Sequence, residues 1–376
     1  MADQTTVGAA MGRRRGVEWS APARAFTLME AVVVVAIIGL LLSVILPALG
    51  ESRRMGRLVV CSSNLRQIGA ATGTYAHENN DLLWTFSWRA GEFRSEFPDL
   101  SNASDDLQAA ADQAVAILRE RADRPDIQRI TGWIPHVMYS HLVLMDHLAS
   151  RLPEPLVVCP EDRVRTGWSE DPSGFDTGRA APYPDGWRAG ENAFKRWPYS
   201  SSYELAPAAY DPGQSARTPS AILFQGREHL AYGLRLNDRD ALRSGGPAFG
   251  GVRLSDVAFA SGKAHVYESV GRHRGARRER FMAYADCQAP VLFFDGSVSL
   301  ARTGDMLPGW NPLDREDPER TTGFWYAPQG WESGTASGAT KDWMSAGYHR
   351  WTRGGIHGID RPTRGASAAT GTGSRR

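Results

Sequence analysis

The stretch RAFTLMEAVVVVAIIGLLLSVILPALGESRR, residues 24–54, decides how this chain is read. Residues 31–49 within it carry no charge and a single hydroxyl side chain, Ser43. At 1.5 Å of helical rise per residue the run reaches about 28 Å, close to the roughly 30 Å hydrocarbon core of a bilayer. A soluble core helix of this length keeps a polar face, and this run has none. It therefore predicts one membrane-spanning helix. A cleaved secretory signal has a shorter apolar core, about 7–15 residues, ending in a small-x-small site. Here Leu46 breaks that pattern ahead of Ala48. Arginines flank the run on both sides, Arg13, Arg14, Arg15 and Arg24 before it and Arg53, Arg54 and Arg57 after it, so loop charge sets orientation only weakly. A plain anchor also leaves Glu30 unexplained. A lone carboxylate deep in lipid costs on the order of 2.5–3.5 kcal/mol, and less near the interface.

Outward from that run the chain is ordinary. Its 376 residues carry a formal net charge of +1 and 42% hydrophobic residues, which excludes a general nucleic-acid binder and leaves ample material for a core. Three cysteines, Cys61, Cys159 and Cys287, are too few for a disulfide scaffold and show no CxxC spacing. If the bulk of the chain is exported, one pair can be oxidised with one thiol left over, Cys159 and Cys287 being the candidate pair. The competing reading is three buried thiols.

Beyond Pro47, the residues Leu58, Cys61, Leu65, Ile68, Thr72 and Tyr75 recur at intervals of 3, 4, 3, 4 and 3, a mostly apolar stripe on one helical face. A helix from position 26 to about 77 would be roughly 78 Å long, with a lipid-borne half and a half packed on a soluble domain. Pro47, lacking an N–H, is expected to bend it. The polar run ENND, residues 78–81, is expected to end it.

The residues AFTLMEAVVVVAIIGLLLSVILPAL, 25–49, resemble the N-terminal segment of type IV prepilins and type II secretion pseudopilins. In that family a prepilin peptidase cuts before a Phe-Thr-Leu-x-Glu stretch and methylates the new amino terminus. The resemblance implies a cut between Ala25 and Phe26, a methylated Phe26, a helix-kinking Pro47, and a role for Glu30 in assembly. The acid would pair with the terminal ammonium of a neighbouring subunit and set the stagger between helices. One departure is Ala25, where the family usually has glycine. CSSNLRQIG, residues 61–69, and CPED, residues 159–162, resemble motifs of a planctomycete-type subgroup of prepilin-like proteins. The Asp-Gly pair at Asp295-Gly296 resembles the end of that subgroup's processing-associated region. Its histidine ten positions earlier is replaced here by Ala285, with His273 nearby but out of register.

The remainder reads as an α+β head. Residues 104–123 predict a helix capped by Ser104, and residues after Pro135 predict a second with Met138, Leu142, Leu144 and Leu148 inward. His136, His141 and His147 are spaced by 5 and 6, off one helical face, so no metal site is expected there. Residues 163–200 read as a long irregular connection, and EDPSGFDTG, residues 170–178, lacks the full spacing of a calcium loop. SSSYELA, SAILFQG and KAHVYES predict strands. PVLFFDGSVSLA predicts a hairpin with a type I′ turn at Asp295-Gly296. Trp325, Tyr326, Trp331, Tyr348, Trp351, Arg350 and Arg353 gather near the C-terminus, read either as a binding surface or as Arg–Trp stacking that holds a loop-rich domain together. The tail is compositionally disordered.

No catalytic frame is present. ASGKA, residues 260–264, fails as a phosphate loop, and there is no HExxH or GxSxG. The sequence thus predicts a non-enzymatic α+β protein, a long N-terminal pilin-like transmembrane helix packed on an antiparallel β-sheet head. No cofactor and no metal are expected. The segments are a cytoplasmic leader at 1–25, the transmembrane half of the helix at 26–49, its exported half at 50–80, a periplasmic head at 81–362 and a disordered tail at 363–376. The implied function is a pseudopilin subunit, minor or specialised, of a type II secretion or type IV pilus-like filament. It would be single-pass in the inner membrane, with the head in the periplasm. Its partners would be prepilin peptidase, other pilin-like subunits, inner-membrane lipid and a secreted cargo or glycan, with no nucleic acid. The alternative is a membrane-anchored periplasmic binding module for a glycan or protein ligand that does not polymerise.

Overall fold

The computed structural model describes residues 27–92, 95–148, 151–211, 249–274, 279–309, 323–345, 348–350, 352 and 354–362. Ala25, Phe26, the leader, the strand expected at 220–226, Trp351, Arg353 and the tail lie outside these. The chain divides into two units, residues 1–52 and 53–376.

Helix α1 runs Leu28–Glu78, with Pro47 inside it. In the first unit its apolar side chains are exposed; Val35, Leu40 and Val44 are each more than 60% accessible. The helix is long and apolar enough to cross a membrane by length and composition. In the second unit the heptad-like stripe is buried. Leu58, Cys61, Leu65, Ile68 and Thr72 face inward, joined by Asn64, Ala71 and Ala76, while Tyr75 is half-buried. Full burial of each large aliphatic in that stripe stabilises by roughly 1.5–3 kcal/mol. The helix stops where ENND begins. The Asn79 side-chain amide donates to the Tyr75 carbonyl at 2.8 Å. Asn80 and Asp81 then take φ of 54° and 68°, the left-handed region that ends helices.

The inner stripe of α1 packs on a four-stranded antiparallel sheet. Its strands are β1 (Tyr203–Leu205), β2 (Ala264–Glu268), β5 (Gln288–Phe293) and β6 (Val298–Arg302), in the order β1-β2-β5-β6. Two short strands, β3 (Val270–Gly271) and β4 (Arg280–Phe281), pair beside it. Period-two alternation assigns the faces. Tyr203, Leu205, Val266 and Leu292 join Cys61, Leu65 and Ile68 in one core. Tyr267, Ala289, Val291 and Phe293 join Phe281, Tyr284 and Cys287 in a second core on the other face. A register shift between Ala264 and Val266 lets Ala264 share the second core with Tyr267. The same shift leaves Glu268, in phase with Val266, on the α1 side. At Gly69 the helix and sheet come so close that an added Cβ would lie 3.1 Å from Leu292.

Around this core lie α2 (Asp106–Arg121), α3 (Arg163–Glu170), α4 (Pro172–Thr177) and a hairpin of β7 (Gly323–Tyr326) with β8 (Asp342–Ser345). Helix α2 is capped by Asp105, not Ser104, through the Gln108 amide. The segment after Pro135 is a 3-10 helix, Ser140–His147, not an α-helix; Leu142 and Leu144 are buried as expected. The connection at 163–200 is more regular than its Gly, Pro and Asp content suggests, because Asp162 and Asp171 cap two short helices. The β5–β6 hairpin forms, but its turn is not type I′. Only Gly296 has positive φ, +80°, and the Gly296 amide donates to the Phe293 carbonyl while the Phe293 amide donates to the Ser297 carbonyl. This is a three-residue loop ending in a left-handed glycine.

Candidate functional site

Among the described residues, two places bear most directly on function. The first is the start of α1. The Thr27 amide and hydroxyl both donate to Glu30 Oε2, at 2.9 and 2.8 Å, and the Glu30 amide donates to the Thr27 hydroxyl at 3.2 Å. Thr-Leu-Met-Glu is therefore a reciprocal capping box, a pattern legible in the sequence as Thr-x-x-Glu. Glu30 has a local task, satisfying two donors at an open helix end, and it is fully exposed.

The second lies in the core between α1 and the sheet. Cys61 comes from the inner stripe of α1 and Glu268 from the end of β2. Cys159 follows the 3-10 turn Pro155–Val157, and His273 follows β3. All four are buried, and one donor atom from each lies within 4.8 Å of the other three. Cys159 Sγ is 3.2 Å from His273 Nε2, which is 3.5 Å from Glu268 Oε2. Glu268 Oε2 is in turn 3.7 Å from Cys61 Sγ. A polar ring holds the four in place. The Tyr203 hydroxyl donates to Cys61 Sγ at 3.1 Å. Arg272 clasps Glu268 Oε1 and Asp162 Oδ2, each at 2.9 Å. Asp162 also accepts from Arg165 and the Ser202 hydroxyl, both at 2.8 Å, and that hydroxyl accepts from the Cys159 amide at 3.1 Å. Burial raises the Cys61 thiol and raises Cys159 well above the ordinary range. Burial also keeps His273 neutral against the pull of Glu268.

No protein-family model, curated protein or solved structure matches this chain. Function therefore rests on these residues themselves.

Of the two readings of the cysteines, the structure has the second: all three are free and buried. Cys159 faces Cys61 and His273. Cys287 sits in the second core, donating to the Arg280 carbonyl at 3.3 Å, so the candidate Cys159–Cys287 pair does not form. His136 and His141 are buried separately, and His147 stacks edge-on against Tyr75. In the calcium-like loop, Asp171 caps the Gly174 amide and Asp176 pairs with Arg124 at 2.6 Å, so both carboxylates serve the fold. Trp331 is held under Arg165, 4.8 Å from the ring, beside Trp168 and Trp197. Arg350 is buried against Glu204 and Tyr267. Both favour the stacking reading of the C-terminal aromatics. Trp325 and Trp343, directly opposite on β7 and β8, remain exposed with Lys341 over Trp325 at 4.5 Å. A cavity of about 190 Å³ opens between Trp133, Tyr139, Phe194 and Trp197, with Arg196 stacked over two of those rings. Spacing within single segments gave no hint that Glu268 and His273 would meet Cys61 and Cys159; Cys61 and Glu268 are 207 positions apart.

Proposed function

We propose that this chain is a pilin-like, non-catalytic subunit that enters a membrane and assembles through α1 into a filament of the type II secretion or type IV pilus kind. The observation that carries the reading is the composition of α1 itself. Its first half is exposed and apolar with Glu30 as the sole charge before Glu51, and its second half is packed into a folded head. An exposed greasy helix needs lipid or sister helices to cover it. A single acid in the first turn is placed to meet an amino terminus of a neighbour. The prepilin-like residues 25–49 imply cutting before Phe26, which would create that amino terminus.

The capping box favours a second reading, because it gives Glu30 a use without assembly. In that reading α1 is a tether for a binding head, and the aromatic cavity beside Arg196 is where a glycan or peptide ligand would sit.

Glu30→Gln separates the two. Glutamine keeps the capping box but removes the charge. In cells, crosslinking between copies of the full-length chain is expected to fall to background for Glu30→Gln, while the protein stays in the membrane fraction. Crosslinking at the wild-type level would overturn assembly and leave tethering.

A further inference from the structure

We propose that Cys61, Cys159, Glu268 and His273 bind one zinc ion, which fastens the inner half of α1 to the sheet and to the Cys159 loop. This site lies within the second unit and does not depend on whether the chain polymerises. Zinc bound tetrahedrally by sulfur at about 2.3 Å and by nitrogen or oxygen at about 2.0–2.2 Å holds neighbouring donors roughly 3.3–3.8 Å apart. Three of the six donor–donor separations, 3.2, 3.5 and 3.7 Å, lie in or within about 0.1 Å of that range, and the others lie within 4.8 Å, so the donors must draw together by at most about 1 Å to hold the ion.

The donor set selects the metal. Two sulfurs and an imidazole are wrong for calcium and magnesium, which take oxygen, and suit zinc. Four protein donors in a buried site make it closed and structural, without an open position for substrate. The surroundings supply the outer contacts that metal ligands require. Arg272 occupies Glu268 Oε1 and leaves Oε2 turned toward the sulfurs and the ring. The Tyr203 hydroxyl donates to Cys61 Sγ.

Charge also balances. Without an ion, two thiols, neutral His273, Glu268 and Arg272 sum to zero. On binding, two S–H bonds are exchanged for two S–Zn bonds and both protons leave to solvent. Two thiolates, Glu268, the divalent ion and Arg272 again sum to zero. No buried charge is left uncompensated, the condition that makes such a site affordable in a core.

The test uses the full-length chain, purified in detergent without chelator from cells grown with zinc. Metal content by mass spectrometry is expected to be about one zinc per chain in the wild type and in Cys287→Ser, whose thiol is outside the cluster. It should fall at least tenfold in the Cys61→Ser/Cys159→Ser double variant. Exchange of wild-type protein into cobalt(II) is expected to give the intense visible bands of a tetrahedral site with thiolate-to-metal charge transfer, a readout that does not depend on any variant folding. His273→Cys should keep the metal and strengthen the charge-transfer band. Zinc absent from the wild type after loading under reducing conditions would overturn the proposal. So would zinc fully retained in the double variant, an octahedral cobalt spectrum, or a Cys61–Cys159 disulfide in the protein as isolated.

Discussion

At the residue scale, individual side chains carry two different burdens. Glu30 is exposed and caps α1 together with Thr27. Its replacement by alanine removes both cap and charge, whereas glutamine removes only charge. If assembly depends on the charge, the two variants fail alike; if on the cap, only alanine fails. Lys263 is the opposite case, a fully buried ammonium bonded to Thr352 at 2.6 Å and paired with Asp360 at 3.3 Å. Burial lowers its pKa, and the Asp360 carboxylate holds it up. Asp360→Asn strips that partner and is expected to destabilise the head by about 3–5 kcal/mol, read as a fall in the urea midpoint. Adding Lys263→Met to the same chain should restore most of the loss, since the uncompensated charge is then gone. The sequence marked Glu30 because a charge beside an apolar run is conspicuous. It did not mark Lys263, whose neighbours come from a segment about a hundred residues away.

At the element scale, period and punctuation were the legible signals. The 3-4 stripe of α1 and its stop at ENND match the structure because both are local. The β5–β6 hairpin was likewise readable from alternation and the Asp-Gly pair. Its turn type was not, because it depends on whether Asp295 or only Gly296 takes positive φ. The segment Ser140–His147 is a 3-10 helix where the sequence predicts an α-helix, since its apolar residues fit either period over so short a run. Two glycines separate backbone strain from crowding. At Gly296 nothing lies within 4 Å of an added Cβ, so Gly296→Ala is expected to cost only about 1–2 kcal/mol for its φ of +80°. At Gly271 an added Cβ would lie 2.6 Å from the Gln288 carbonyl oxygen and 2.9 Å from Cys287 Sγ. Gly271→Ala should therefore cost at least as much, about 1–3 kcal/mol, through overpacking of β3 against β5. Thermal unfolding of both variants checks the mechanism: a second change, Cys287→Ala, removes the sulfur contact but not the closer backbone carbonyl, so it is expected to recover part of the loss at Gly271 and none of the loss at Gly296.

At the scale of the whole molecule, the head buries its sheet on both faces and packs further segments around it, and this shuts several histidines away from solvent. His136, His141, His265 and His349 are fully buried, and burial lowers each to about 3. In the unfolded chain a histidine takes up its proton near 6.5. Between those values the unfolded state binds more protons, so stability falls as pH falls, by up to about 1.4 kcal/mol per pH unit for each histidine. Four together are large against a total of about 5–15 kcal/mol. The head is expected to lose melting temperature steadily below about pH 6 and to unfold above about pH 4, measured by circular dichroism across a pH series. None of this is visible in the sequence, where spacing tests His136 and His141 only as metal ligands and nothing singles out His265 or His349. The same limit applies to the proposed zinc cluster, whose four side chains come from three distant segments that meet on the α1 side of the sheet. The long apolar half of α1, by contrast, is legible from composition alone, and the proposed role in assembly follows from how that half begins. Mass spectrometry of the amino terminus of the chain isolated from its own membranes tests that role most directly. Assembly as a processed subunit predicts a chain beginning at a methylated Phe26, and a chain still beginning at Met1 would contradict it.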